Sequence, residues 1–309
     1  MKHATETFAP DFFVVGAAKA GTTALYNWLQ DHPAIFLPAV KEPGFFAYAD
    51  GAALPKCGPF DPNYFNQIAV DNESYSALYE KAGPRLTGDV SPVYLLNENA
   101  AERIAAARPD ARIIIVLRDP VERAFSQYMH HVRDSLETCE TFEQALAEES
   151  SRLAAGWSWG HGYATHGHYC AQIKRYLSVF PREQVLFLDF QDMQTEPEEC
   201  WRQLCTHLSI EQRPLAQNER VNQTVGLTEI SARPGITHRL RHPGKAQKLL
   251  KQILPWIVRA KIRQVIEGPG RPVPLLRMDT KRSLANRYQG ERLRIKEMTG
   301  LSLTHWLTS

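Results

Sequence analysis

Apolar positions fall into two rhythms over the first two thirds of the chain. Phe12-Phe13-Val14-Val15 and Ile113 to Leu117 are continuous apolar runs without polar alternation, as expected for strands buried on both faces of a parallel sheet. Gln184 to Phe190 is a third such run, and Leu86 to Asp89 reads as a shorter strand. Between them the spacing is helical. Thr22 to Gln30 puts Leu25, Trp28 and Leu29 on one face. Asp119-Pro120 opens a helix carrying Arg123, Phe125, Ser126 and Tyr128, and Glu196-Pro197 opens another through Trp201, Leu204 and Leu208. This alternation predicts an α/β fold, a parallel sheet flanked by helices, with ligand sites beyond the carboxyl ends of its strands. Past about residue 214 the rhythm changes to helices and loops. Lys245 to Val265 is basic and amphipathic, residues 268–272 form a turn-rich break, and Asp279 to Met298 reads as a final helix. The expected organisation is one domain over residues 1–309, with an α/β core at 10–213 and a helical C-terminal lid segment at 214–309.

Length and composition agree. A chain of 309 residues, 43% hydrophobic and 23% charged, is large enough for a substantial core and lies outside the disordered and fibrous classes. The net charge of +2 predicts no nucleic-acid partner. It conceals an asymmetry, because residues 233–296 hold seventeen Lys or Arg and three acids, fourteen net positive charges against twelve net negative in the rest. A segment this biased suits an anionic ligand, carrier or membrane surface, or is a set of solvated helix faces. No apolar run is long enough to span a bilayer, and residues 1–10 lack the apolar core of a secretory signal. Five scattered cysteines without C-x-x-C or metal-ligand spacing read as reduced thiols of a cytoplasmic protein. Cys200 and Cys205 point in different directions on one helix.

The richest chemistry lies in Gly16-Ala17-Ala18-Lys19-Ala20-Gly21-Thr22-Thr23, which joins the first strand to the first helix. Two glycines allow a tight turn, the first amides of the helix face the loop, and Lys19 and the two threonine hydroxyls add donors: an anion cradle. It is P-loop-like but departs from the Walker A pattern. Thr22 stands where the lysine should follow the second glycine, and the loop lysine comes two residues before that glycine. A nucleoside-triphosphate site is correspondingly weakened.

A lysine inside the loop followed by Gly-Thr-Thr resembles the 5′-phosphosulfate loop of the sulfotransferases that use 3′-phosphoadenosine 5′-phosphosulfate (PAPS). A second segment, Ile113 to Tyr128, resembles the family's 3′-phosphate motif, in which an arginine ending a strand and a serine eight residues later bind that phosphate. The resemblance runs over about residues 10 to 307, closest in motif style to bacterial relatives of the heparan-sulfate-type N- and 3-O-sulfotransferases. It implies that Lys19, Ala20, Gly21, Thr22 and Thr23 hold the phosphosulfate, that Arg118 and Ser126 hold the 3′-phosphate, and that the product nucleotide is 3′-phosphoadenosine 5′-phosphate (PAP). Cationic side chains can supply the charge that sulfuryl transfer needs, so no metal is expected, and Lys19 is the candidate electrostatic catalyst.

Lys41-Glu42-Pro43-Gly44-Phe45-Phe46 resembles the Lys-Glu-x-x-Phe-Phe segment whose glutamate is the general base in the heparan-sulfate-type enzymes, which assigns that role to Glu42. Neighbouring lysines would lower its pKa and desolvation would raise it, a balance open at this stage. Gly44 replaces a histidine, and Val90 in Gly88-Asp89-Val90-Ser91-Pro92-Val93-Tyr94 replaces a lysine, of those relatives, so a heparan-like acceptor does not follow. Lys41, Phe45, Asp89, Ser91, Tyr94, His166 and Tyr169 are expected near the acceptor, with Phe45 and Phe46 as packing in the cleft. Tyr169 belongs to a Gly-x-Tyr match, with core packing as its alternative. Arg271 falls where relatives carry a Lys-Gly-Arg loop over the 3′-phosphate, and Leu303 and Trp306 match a structural C-terminal close. His161, His166 and His168 read as a mobile loop near the acceptor opening, with poor spacing for a metal. The expected activity is sulfuryl transfer to a hydroxyl, or an amine, of a saccharide or small natural product. The alternatives are a nucleotide kinase or NTPase on the same loop, or a non-catalytic binder of acidic glycans or membranes.

Overall fold

The computed structural model describes residues 7–49, 51, 54–215, 229–230 and 271–306. Its centre is one five-stranded sheet: β1 (Phe12–Gly16), β2 (Ile35–Phe36), β3 (Leu86–Val90), β4 (Arg112–Leu117) and β5 (Val185–Asp189). The spatial order is β2-β3-β1-β4-β5 with every neighbouring pair parallel. Phe13 of β1 sits between Asp89 of β3 and Ile113 of β4. The apolar runs therefore lie where helices cover both faces. All five residues of β1 are buried and Ile113 through Leu117 have no exposed surface, each such side chain contributing about 1.5–3 kcal/mol.

The helices follow in chain order: α1 (Thr22–Gln30), α2 (Phe45–Tyr48), α3 (Pro62–Asn66), α4 (Asn72–Ala77), α5 (Ala100–Ala107), α6 (Pro120–Arg133), α7 (Phe142–Ala154), α8 (Tyr169–Val179), α9 (Phe190–Thr195), α10 (Pro197–Leu208) and α11 (Met278–Thr299). Their starts are chemically marked. Asp119 accepts from the amides of Val121 and Glu122 with Pro120 in the first turn of α6, and Thr141 and Gln144 form a reciprocal capping box on α7. The N-terminus of α1 has no side-chain cap, its Ncap being Gly21.

The final helix closes the molecule onto the core. Tyr288 donates to the carbonyl of Ala164 at 2.7 Å, Glu291 accepts from the Cys170 amide at 3.1 Å, and the buried indole of Trp306 donates to Asp189 at the end of β5. All five cysteines are free thiols. A two-residue antiparallel ribbon pairs β6 (Glu229–Ile230) with β7 (Arg271–Pro272). The basic stretch at 245–265, most of the break at 268–272 and the side chain of Arg271 lie outside the described residues. Among the described residues no helix is long and apolar enough to cross a membrane.

Candidate active site

β1 and β4 are neighbours, so the loop after β1 and the residue after β4 emerge side by side. The Ala17 amide donates to the Val116 carbonyl at 2.7 Å, and the Arg118 guanidinium donates to the Lys19 carbonyl at 3.1 Å. Two strand-end motifs a hundred residues apart in sequence are thus locked together. Lys19 takes a left-handed conformation at φ 67°, and Gly21 does so at φ 87°. A Cβ on Gly21 would come within 2.8 Å of the Phe190 ring, so the position needs glycine for its conformation and for space. Ala20 is fully buried and its amide donates to Ala17 within the loop, which makes it a structural member of the turn instead of the expected anion donor.

Lys19, Gly21, Thr22, Thr23, Lys41, Glu42, Arg118 and Ser126 all line one cleft of about 1060 Å³. Desolvation, with Arg133 and Arg118 nearby and Glu42 opposing them, brings the Lys19 ammonium down to about 8. The uncapped α1 terminus points the same way. A crowd of cations at a bare helix N-terminus is arranged for an anion that is not part of the chain. Arg118 also lies over the Phe190 ring at 4.7 Å and within 3.8 Å of Glu122, which fixes its plane.

Glu42 likewise has positive φ, at 60°. Its carboxylate is 19% exposed and 3.4 Å from the Lys41 ammonium, which in turn donates to the Thr23 hydroxyl at 2.6 Å. Burial raises the Glu42 pKa, and Lys41 and then Lys19 oppose that rise without cancelling it. The balance left open by sequence is therefore decided by desolvation.

Of the seven residues expected near the acceptor, only Lys41 lines the cleft, and the other six are elsewhere. Asp89, Ser91 and Tyr94 have no exposed surface, because this end of β3 turns these side chains into the core. Asp89 accepts from the hydroxyls of Tyr75 and Tyr94, each at 2.7 Å, and from Ser91 at 2.6 Å. Ser91 accepts from the Gly44 amide at 3.1 Å, and Phe46 donates weakly to Tyr94 at 3.4 Å. These residues form a platform under the turn that carries Glu42. Phe45 belongs to the same core, stacked on Tyr75 with centroids 4.6 Å apart. Desolvation, against the three hydroxyl donors, raises the Asp89 pKa to about 6, and the charge of Glu42 adds to the rise.

Tyr169 is also buried and donates to the Arg118 carbonyl at 3.1 Å, bracing the phosphate-motif backbone from within the core. The histidine segment is not a loose loop: it forms two 3₁₀ turns, Trp159–His161 and Thr165–Gly167. His166 packs over Gly162, and His168 is paired with Glu291, so neither reaches the cleft. His161 does line it, beside His131. With Glu137 these two make a cluster of metal-ligand type. Each of its groups already faces protein partners, His131 with Gln127 and Tyr163, His161 with the carbonyls of Ser158 and Leu136, and Glu137 with Arg152 and Tyr163.

Sequence reasoning missed His130. It lies on the same face of α6 as Ser126, four residues on, a spacing that could have found it. It lines the cleft 3.3 Å from Asp134, and desolvation and the Lys19 charge hold it neutral, with a pKa of about 4.

This fold and cleft agree with what comparison with known proteins finds. Residues 9–232 match the family model described as sulfotransferase domain. The chain belongs to the sulfotransferase family. A crystal structure of a sulfotransferase from Alicyclobacillus acidocaldarius superposes with a TM-score of 0.74 at 28% identity, covering 97% of this chain and all of that one. The human bifunctional heparan sulfate N-deacetylase/N-sulfotransferase 2 is 30% identical over 191 residues, 61% of this chain and 20% of its own length. The mouse heparan sulfate glucosamine 3-O-sulfotransferase 3A1 is 26% identical, with 79% of this chain aligned to 59% of that protein. The chain thus spans only part of these curated relatives.

Proposed function

We propose that this protein transfers the sulfuryl group of PAPS to a hydroxyl or amine of a saccharide or small natural-product acceptor, with Glu42 as general base. One observation carries the reading: the cation crowd of Lys19, Arg118 and Arg133 and the base candidate Glu42 line the same cleft, close enough that Arg133, Glu42 and Arg118 all act on the Lys19 ammonium. The residues fit PAPS. Lys19, the Thr22 and Thr23 hydroxyls and the uncapped amides of α1 suit the phosphosulfate end, and Arg118 with Ser126 suits the 3′-phosphate. PAPS supplies a sulfur centre with a good leaving group.

The chain supplies the rest. Glu42 takes the acceptor proton as the acceptor atom bonds to sulfur, and its raised pKa brings a carboxylate nearer to useful basicity. The bond between sulfur and the 5′-phosphate oxygen breaks, its electron pair stays on that oxygen, and Lys19 with the α1 amides neutralises the charge. Lys41, tethered between Thr23 and Glu42, keeps the base beside the donor site. Exchange of Glu42 for Gln removes the base with little change of shape. Transfer of labelled sulfate should fall by about 10²–10⁴-fold, with PAP affinity close to wild type by calorimetry. Unchanged turnover overturns the assignment of Glu42.

A further inference from the structure

Two segments wall the cleft beside Glu42: 59–67, with the aromatic residues Phe60, Tyr64 and Phe65, and 158–160. Trp159 lies beside Tyr64, whose hydroxyl feels the charge of Glu42. The next residue, Gly160, presses against α6. A Cβ there would stand 2.7 Å from Nε2 of His131 and 3.1 Å from the amide nitrogen of Gln127. Gln127 and His131, four residues apart on one face of that helix, both line the cleft.

Behind them runs a buried chain of hydrogen bonds whose direction is fixed by chemistry. Glu137 has no exposed surface and accepts from the amides of Thr138 and Cys139, each at 2.7 Å, and from Arg152 at 3.1 Å. Burial raises its pKa, but the bonds from Arg152, the Cys139 amide and Tyr163 outweigh burial and hold it below the ordinary carboxylate value. An ionised carboxylate only accepts, so the Tyr163 hydroxyl donates to Glu137, at 2.5 Å. The Tyr163 oxygen in turn accepts from Nδ1–H of His131 at 2.9 Å. Burial, with the neighbouring His161 next in weight, keeps the His131 pKa well below its usual value, so the ring is neutral and Nε2 is a bare acceptor. It takes the amide N–H of Gln127 at 2.9 Å. The chain thus decides which end of the Gln127 amide faces inward, and turns the carbonyl oxygen the other way. Gln127 is only 4% exposed, yet that oxygen is not closed off from the cleft, and among the described residues it accepts no hydrogen bond. An acceptor held in this way is matched to a donor on a ligand.

We infer that Gln127 is a specificity-determining residue whose carbonyl oxygen accepts a hydrogen bond from a second O–H or N–H group of the molecule being sulfated, and that Glu137, Tyr163 and His131 are the positioning residues that hold it so. The inference rests on the sulfotransferase reading of the cleft. Ionised phosphate and sulfate oxygens only accept, so the Gln127 oxygen does not suit the charged groups of PAPS, which leaves the nucleotide's ribose 2′-hydroxyl and the sulfated molecule as sources of the donor. Contact with 158–160, in the wall that Glu42 shares, favours the second. A site built to hydrogen-bond such a group discriminates strongly against analogues lacking it.

The test uses the full chain, labelled PAPS and matched substrates, catechol against 2-methoxyphenol and a methyl glycoside against its monodeoxy analogues, with PAP binding followed by calorimetry. Loss of the hydroxyl that Gln127 reads, by methylation of catechol or at one position of the glycoside, should lower kcat/KM about tenfold. Gln127→Met removes the accepting oxygen and should bring that ratio close to one with PAP affinity unchanged. Tyr163→Phe releases the His131 tautomer and lets the Gln127 amide turn its N–H to the cleft, so preference should move towards 2-methoxyphenol, a reversal that a merely structural role would not produce. An unchanged preference in folded Tyr163→Phe overturns the positioning role, and Gln127→Met tests the contact whether or not that variant folds. Wild-type indifference to the second hydroxyl, no transfer to any substrate carrying one, or an unmoved ratio in Gln127→Met overturns the inference while the donor reading stands. Weaker PAP binding by Gln127→Met assigns the oxygen to the ribose 2′-hydroxyl and overturns it as well. Absence of PAP binding to the wild type defeats the donor reading, and the inference falls with it.

Discussion

Asp89 offers a sharp prediction because its surroundings are fully specified. The carboxylate has no exposed surface and accepts from Tyr75, Tyr94 and Ser91 at 2.6–2.7 Å. Even so, desolvation dominates, and its pKa rises from 3.8 to about 6. The folded state therefore holds this proton more tightly than the unfolded chain does. Below about pH 4 the group is protonated in both states. As the pH rises the unfolded chain ionises first, and stability falls until the folded carboxyl has also ionised, near pH 6. At 1.36 kcal/mol per pH unit the loss is about 3 kcal/mol. Asn in place of Asp89 keeps the shape and an acceptor for the tyrosines but cannot ionise. Urea unfolding of wild type and Asp89→Asn across pH 4 to 7.5 isolates the group, since other titrations cancel in the difference. Wild-type stability minus that of the variant should decline by about 3 kcal/mol over pH 4–6 and then stay flat. A difference independent of pH, or one that grows with pH, refutes the desolvation argument.

Two further outcomes follow from the same geometry. Ser91→Ala leaves the Gly44 amide beneath the base turn without its acceptor, so kcat should fall about tenfold with the KM for PAPS unchanged, as steady-state kinetics would show. Lys19 has its pKa lowered from 10.5 to about 8, so stability rises with pH between those values and the ammonium carries its full cost at neutral pH. Lys19→Met should therefore stabilise the nucleotide-free protein at pH 7 by about 1–3 kcal/mol in urea unfolding while weakening PAP binding.

The sheet was legible because β1, β4 and β5 are continuous apolar runs, which only a doubly covered parallel sheet accommodates. The glycine loop and the Arg118–Ser126 pair were legible because each is a local spacing anchored to a strand end. The facing of β3 was not. Whether Asp89 points into a cleft or into the core depends on Tyr75 and Tyr94 arriving from other segments, and one residue of register reverses the answer. The aromatic wall at 59–67 has no period to announce it, and only the fold brings it beside Trp159, about a hundred residues away. Ile35–Phe36 is too short a run to stand out as a strand. The asymmetry of charge, by contrast, was plain in sequence, yet most of the basic segment at 233–296 lies outside the described residues.

The most direct measurement compares the binding of PAP with that of adenosine 5′-monophosphate and ATP to the wild-type chain and to Arg118→Ala by calorimetry. PAP and the monophosphate differ only in the 3′-phosphate that Arg118 and Ser126 are assigned. PAP should bind about a hundredfold more tightly than either competitor, and Arg118→Ala should remove most of that preference. Equal affinity for PAP and the monophosphate, or tighter binding of ATP, contradicts a PAPS-dependent sulfotransferase site in this cleft.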